Sequence, residues 1–467
     1  MTPDRDPADA PHDAHGAILG QARSFASAGD DAAAKRAYLD ILQRDPTHFD
    51  ALNELAALAL AGGYRTAARS AYQQAVQLHP ANPVGRVNLA NLLLDEGDAA
   101  GAKTHLQAAL GGDDDLAAAH QGLARAFTAL GDTAAAEPHW HRGFAGQPPV
   151  KRPYRGRGTA INLLLLVAAR GGNIPTQHWI DDRSFAVTAL YCDFCDPAQP
   201  LPPHDLVVNA IGDADFCVPA LAGAGQVLAR SAAPVINPPA LVAGTGRAAI
   251  ARRLAGIGGV IAPTIREISP ATLVAAEDLR FPLLLRKPGY HTGRHFHFIA
   301  DRAALAPAIA ALPEGDLLAI EYLDARGADG MARKYRVVFI DGAIHPVHLA
   351  ISADWKVHYF TADMAGNAAH RAEEGLFLDD MAAVLGARAM TALAAIRDTI
   401  GLDYAGIDFA LARDGSLLLF EANATMVIYP PEPDPIWDYR RAAIGRALDA
   451  ARQMVIRRAQ GSRRAGR

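Results

Sequence analysis

The pattern of apolar and polar positions changes character once along the chain, near residue 150. Before that point apolar residues recur with helical spacing, in paired segments, and several positions repeat at a step of 34. Ala22, Ala56, Ala90 and Ala124 form one column, and Gly29, Gly63, Gly97 and Gly131 a second. Ala34, Ala68, Ala102 and Ala136 form a third, beside a bulky column of Tyr38, Tyr72, Leu106 and Trp140. Pro46, Pro80 and Pro148 close three of the units, with Asp114 standing in the remaining one. This register predicts four helix–turn–helix units over residues 15–149. The glycine of each turn can take positive φ. The alanines let paired helices approach, the bulky residue fills the gap between hairpins, and the proline cannot continue a helix.

After residue 150 the periodicity becomes that of strands. INLLLLVAA (161–169) is a continuous apolar run, as expected of a buried strand, and FAVTALY (185–191) and HDLVVNAIG (204–212) predict two more. They suggest a small α/β domain over 160–240, closed by VINPP (235–239). A helix is expected from about Thr245 to Gly256. Strand pairs then follow around 280–299, 317–351 and 405–426, the last flanking the turn Asp414–Gly415. A terminal helix within 431–460 presents Ile444, Leu448, Ala451 and Val455 on one face and should dock. Residues 1–14 are expected to lack structure, 150–159 lie in a Pro-, Gly- and Arg-rich stretch read as a linker, and 461–467 form a basic tail.

Composition narrows the class. Half the residues are apolar and 20% are charged, a globular balance. No apolar run is long enough to predict a membrane span, and no basic-then-apolar leader is visible, so the expected location is cytoplasmic. Three cysteines, Cys192, Cys195 and Cys217, argue against a disulfide scaffold. The single Cys-x-x-Cys has no second pair to complete a structural zinc site. Charge is uneven: residues 1–150 hold 18 acidic and 11 basic residues, whereas 440–467 hold nine arginines and one aspartate. The basic end could meet an acidic surface, but a solvated helix end is the simpler reading, and a nucleic-acid partner is not expected.

The chemistry lies in the strand-rich half. The strand RFPLLLRK ends in Arg286 and Lys287 and runs into a glycine-bearing loop with Gly289, Thr292 and Gly293. A lysine there can meet phosphate as a point charge, and loop amides can approach phosphate oxygens. Asp408 sits in one strand of the last hairpin, and Glu421 and Asn423 end the other. Positions two apart in a strand share a face, and the hairpin can bring Asp408 across from them. Two carboxylates and an amide oxygen suit Mg²⁺ held with phosphate.

The repeats resemble the tetratricopeptide repeat family over 15–149. That resemblance implies an all-α solenoid with a concave surface for a protein or peptide partner, or for self-association. Residues 160–430 resemble the ATP-grasp superfamily, nearest its glutathione synthetase/RimK-like branch, on the ordered segments Lys287-Pro288-Gly289, IEYL, the Arg336 strand and Asp408…Glu421-Ala422-Asn423. The implied fold class is multidomain: a helical solenoid followed by an α/β (α+β) ATP-grasp fold, with its N-terminal subdomain at 160–240 and its central and C-terminal subdomains at 241–430.

The resemblance also implies roles. Lys287 would contact ATP phosphates, with Arg247 as a second phosphate cation. Residues Tyr290 to Arg294 would form a lid including Thr292, Gly293 and Arg294. Glu321, Tyr322 and Leu323 would form the adenine hinge. Asp408, Glu421 and Asn423 would hold Mg²⁺ or Mn²⁺, and Arg336 would stabilise the transferred phosphoryl group. His291, His295 and His297 are unusual in such a loop and stand either as added contacts or as ordinary polar residues. His348, Lys356 and Thr425, with the loop at 352–375, are candidates for substrate contact, while Trp355 reads as packing. The implied activity is an ADP-forming ligase joining a small-molecule or peptide carboxylate to an amine through an acyl phosphate. A kinase on the same fold and a non-catalytic nucleotide-binding scaffold are the competing expectations.

Overall fold

The computed structural model describes residues 10–289, 294–359 and 361–465. The chain divides into two compact units, residues 1–148 with 153–157, and 149–152 with 158–467.

In the first unit, eight helices form four hairpins: α1 (Ala10–Ala28) with α2 (Asp31–Arg44), α3 (Phe49–Ala61) with α4 (Arg65–Leu78), α5 (Pro83–Asp95) with α6 (Ala99–Leu110), and α7 (Ala117–Ala129) with α8 (Thr133–Phe144). The repeat columns explain the geometry. Gly29, Gly63, Gly97 and Gly131 sit at φ between 78° and 86°, so each turn uses the left-handed region. Asp30, Asp98 and Asp132 then cap the second helix of their hairpins by accepting from the backbone three residues on. The alanine columns are buried, and Tyr38, Tyr72, Leu106 and Trp140 fill the seams. Helix α1 starts at Ala10, inside the stretch expected to lack structure; residues 1–9 lie outside the described residues.

The second unit holds three sheets. The first contains β1 (Val150–Lys151), β2 (Ile161–Val167), β3 (Phe185–Tyr191), β4 (Leu206–Asn209) and β5 (Val235–Ile236) in the order β1-β3-β2-β4-β5. Strands β2 to β5 are mutually parallel, and β1 joins antiparallel to β3. The stretch read as a linker therefore supplies an edge strand: Val150 and Lys151 pair with Ala189 and Thr188. The chain reverses its winding direction between β2 and β4, and their carboxyl ends open a crevice of the kind that binds ligands in open α/β sheets.

The other sheets face each other in chemistry as well as in space. After β6 (Val260–Ile261), strands β7 (Ile265–Ile268), β8 (Leu283–Arg286), β9 (Phe296–Ile299) and β10 (Leu317–Glu321) form a sheet in the order β7-β10-β8-β9. Strands β11 (Ala332–Ile340), β12 (Ala343–Ser352), β13 (Tyr404–Leu411) and β14 (Leu417–Asn423) join β6 in the order β12-β11-β13-β14-β6. One face of the β7–β10 sheet packs its own small core around Leu283, Leu285, Ile299, Leu317 and Ala319. The first sheet and the β11–β14 sheet share a second, larger core. A buried amide staples these two sheets: Asn237 donates to the Tyr404 carbonyl at 2.7 Å and accepts from the Tyr404 amide at 2.8 Å.

The terminal helix, Asp438–Ala465, buries Ile444, Ala447, Ala451, Met454 and Val455. Its arginines work within the unit. Arg452 donates to Asp181 at 2.8 Å, and Arg458 to Asp403 at 2.6 Å and Asp341 at 3.2 Å. A further internal ion pair joins Arg440 to Glu374, which also accepts from the Tyr439 hydroxyl at 2.5 Å. Among the described residues no helix is long and apolar enough to cross a membrane.

Candidate nucleotide and metal site

Strand register builds the site. On one face of the β11–β14 sheet, four residues stand side by side across four strands: His348 opposite Arg336, Arg336 opposite Asp408, and Asp408 opposite Glu421. Alternation adds Lys334 two residues before Arg336, and Asn423 two residues after Glu421. Two bulges flank this row, one after Arg336 and one after Asp408. They absorb an extra residue and re-aim side chains locally, as bulges beside functional sites do.

The opposing wall comes from the β7–β10 sheet. Arg286 pairs with Phe296 on β9 and with Leu318 on β10, so Arg286, Phe296 and Ile320 share the face opposite that sheet's own core. Between the walls lies a cavity of about 480 Å³, lined among others by Arg286, Tyr322, Leu323, Arg336, Asp408 and Glu421. Gly172 and Asn173, from the crevice after β2, also reach it. A smaller lobe of about 260 Å³ shares Arg247, Arg286 and Glu421 and adds Asp213, Asp215 and Gly289.

The electrostatics are those of closely paired charges. Arg336 donates to both oxygens of Asp408, at 2.6 and 2.9 Å, and the Lys334 ammonium lies 3.2 Å away. Burial alone would raise the Asp408 carboxyl; Arg336 and Lys334 override it and hold the group far below the usual carboxylate range. Glu421 likewise stays ionised despite burial, because Arg247 pairs with it and Arg286 lies near. Asn423 donates to Glu421 at 2.8 Å, and its carbonyl accepts from the Thr425 amide and hydroxyl, both at 3.0 Å. Arg247 opens a short helix, Arg247–Leu254, and its backbone amide donates to Asp215 at 2.8 Å, which fixes the helix start beside the site.

The donor set fits magnesium in kind. Asp408 and Glu421 offer hard oxygens on adjacent strands, both carboxylates already ionised; the Asn423 oxygen accepts from Thr425 and would have to give up those contacts to join them. Each carboxylate now holds a cation, so a metal would take the place of guanidinium or ammonium contacts. Among the described residues no three His, Cys, Asp or Glu side chains converge as a protein-only metal cage. Magnesium commonly shares its shell with bound phosphates.

One expected contact is corrected. Lys287 follows Arg286 and therefore points to the opposite face, where its ammonium donates to the carbonyls of Glu314 at 2.5 Å and Asp316 at 3.1 Å. It does not line the cavity; Arg286 does. His348 completes the row but is buried beneath it, not exposed to the cavity, and burial with Arg336 nearby keeps it neutral. Glu321 lies at the cavity edge, where it accepts from the Thr264 amide at 3.0 Å, and Lys356 and Thr425 line the cavity. Arg294 is exposed and does not line it. Thr292 and Gly293, with Tyr290 and His291, lie outside the described residues. His358, within the loop at 352–375, lines the cavity, and so does Lys334, which is not among the expected site residues although strand alternation from Arg336 reaches it.

None of the three cysteines lines either cavity. Cys192 is buried and its thiol is pushed well up by burial and by Cys195, and burial pushes Cys217 up to about 12.

No family model matches the chain, and no curated protein matches it. Solved helical-repeat structures resemble its N-terminal part. MamA from Desulfovibrio magneticus is 19% identical, with 28% of this chain and 73% of that one covered and a TM-score of 0.26. A tetratricopeptide repeat protein from Parabacteroides merdae is 18% identical, with 27% and 51% covered and a TM-score of 0.26. At that similarity they add no argument, and the helical-repeat assignment rests on the four hairpins themselves.

Proposed function

We propose that residues 158–467 bind ATP with magnesium and join a carboxylate to an amine, forming ADP and phosphate, while the tetratricopeptide-like array offers a surface for a peptide or protein partner. The observation that carries this reading is the cross-strand row Arg336–Asp408–Glu421, which faces Arg286 across a cavity with an apolar hinge end at Tyr322 and Leu323. One end suits a nucleobase, and the other offers Arg247, Arg286, Lys334 and Arg336 to phosphates and a carboxylate.

In this reading a substrate carboxylate oxygen attacks the γ-phosphorus and ADP leaves, giving an acyl phosphate. The amine nitrogen attacks the carbonyl carbon, the C–O bond to phosphate breaks, and the nitrogen gives up a proton. Magnesium, held by Asp408, Glu421 and Asn423, would neutralise phosphate charge. Arg336 and Lys334 turn from Asp408 towards the transferring phosphoryl group, where preorganised cations are worth most. Arg286 and Arg247 hold the triphosphate in line, and the walls of the cavity keep water from the acyl phosphate.

The test is product analysis with candidate acids and amines. A product lighter by one water than acid plus amine supports the ligase. A stable phosphorylated acid would favour a kinase, and nucleotide binding without turnover a scaffold; either outcome overturns the reading.

A further inference from the structure

Resting on the reading that the cavity holds ATP, we propose that Trp355 is a positioning residue: it roofs the nucleotide cavity and, through Phe296, sets Arg286 against the phosphates. Trp355 sits in the segment that follows β12, on the β11–β14 sheet, yet its indole packs against the other wall. It meets Phe296 edge-on at 5.4 Å and Phe298 at 5.5 Å, both on β9. Phe298 in turn meets the hinge residue Tyr322 at 5.1 Å. The segment thus crosses from one sheet to the other above the cavity, and its four consecutive residues Trp355 to His358 all line it.

The same cluster reaches the charge. Arg286 and Phe296 are cross-strand partners, and the guanidinium lies 5.6 Å from the Phe296 ring centre. A cation over an aromatic face is attracted to it, and a ring wedged by a neighbouring indole has fewer rotamers to offer. Trp355, Phe296 and Arg286 therefore form one packed chain from the roof to the phosphate end. Trp355 thus belongs to the chain leaving β12 and packs on β9 of the other sheet.

The chain predicts a selective defect. Without the indole, Phe296 loosens and Arg286 loses its fixed approach, so ligands with phosphates suffer more than ligands without them. The experiment uses the full chain and compares MgATP with adenosine by titration calorimetry, for the wild type, Trp355→Ala, Trp355→Phe and Phe296→Leu. Trp355→Ala is expected to weaken MgATP by about tenfold, the scale of one aromatic contact plus one guided charge contact, and adenosine distinctly less. Trp355→Phe is expected to recover most of the loss, and Phe296→Leu to reproduce the selective defect from the other end of the chain. Thermal unfolding of each variant identifies any that fails to fold, and Phe296→Leu then carries the test. Equal losses for MgATP and adenosine would reduce Trp355 to a base-side wall, and no loss for either would overturn the proposal outright while leaving the ATP reading standing. A wild type that binds no MgATP would overturn both.

Discussion

Arg286 and Lys287 are adjacent cations on one strand, and the structure assigns them opposite tasks. Replacing each with methionine separates them. Arg286 faces the cavity, where a charge-assisted contact to phosphate contributes about 1.5–3 kcal/mol. Losing it should raise the Kd for MgATP by about 10- to 150-fold, at 1.4 kcal/mol per factor of ten. Glu421 keeps Arg247 as its partner in that variant, so no buried carboxylate is orphaned. Lys287 instead ties the end of β8 to the turn before β10 through two carbonyls. Its loss should cost about 1 kcal/mol of stability, about 1.5 °C in Tm for a unit of this size, and change the Kd by less than about twofold, well inside the worth of one such contact. Calorimetric titration with MgATP and thermal unfolding read the two effects. A Lys287→Met variant that binds MgATP more weakly than Arg286→Met would refute the facing of this strand and the cavity assignment with it.

Asp408→Asn and Glu421→Gln should each reduce ATP turnover by more than about 100-fold with unchanged far-UV circular dichroism; near-normal turnover would remove these carboxylates from the metal site. Glu374→Ala leaves the buried Arg440 without its carboxylate and should cost about 3–5 kcal/mol in urea unfolding; a cost under 1 kcal/mol would show that the pair is dispensable, contrary to what its burial implies. Gly97→Ala places a side chain at φ 86° in otherwise open space, so its cost should be the backbone term alone, about 1–2 kcal/mol. The Asp341 carboxyl, which burial would raise, is held below its ordinary range by hydrogen bonds from Arg457 and Arg458. That contribution is present above the unfolded pKa and is lost as pH falls through the folded one. The stability gap between wild type and the Arg457→Gln/Arg458→Gln variant should be under about 1 kcal/mol at neutral pH, since the arginines are exposed, and should close in acid; a gap that widens in acid contradicts the assignment.

The helical half was legible because its signals are local. A glycine at each turn and alanines at fixed offsets name the hairpins without long-range information, and the four glycines do take positive φ. The row Asp408–Glu421–Asn423 was legible for a related reason: the Asp414–Gly415 turn fixes the pairing of its two strands. The phase of β8 was not. Leu283, Leu284 and Leu285 are apolar on both faces, so no alternation says which of Arg286 and Lys287 faces inward. That follows only from pairing with β9 and β10. Lys334 shares a strand face with Arg336, but nothing local shows that Asp408 stands beside both until β11 pairs with β13, and Trp355 was hidden because its partners Phe296 and Phe298 are far away in sequence and on another sheet. The exposed-looking arginines of the last helix find Asp181, Asp341 and Asp403 only once the fold gathers them.

The most direct test of the account is mass spectrometry of the full chain incubated with MgATP and pools of carboxylic acids and amines. A new amide, lighter by one water than its two parents, is expected together with ADP and inorganic phosphate, and is expected to be absent with Asp408→Asn. ADP formed with no joined product, or a phosphorylated acid that persists in the presence of amines, would contradict it.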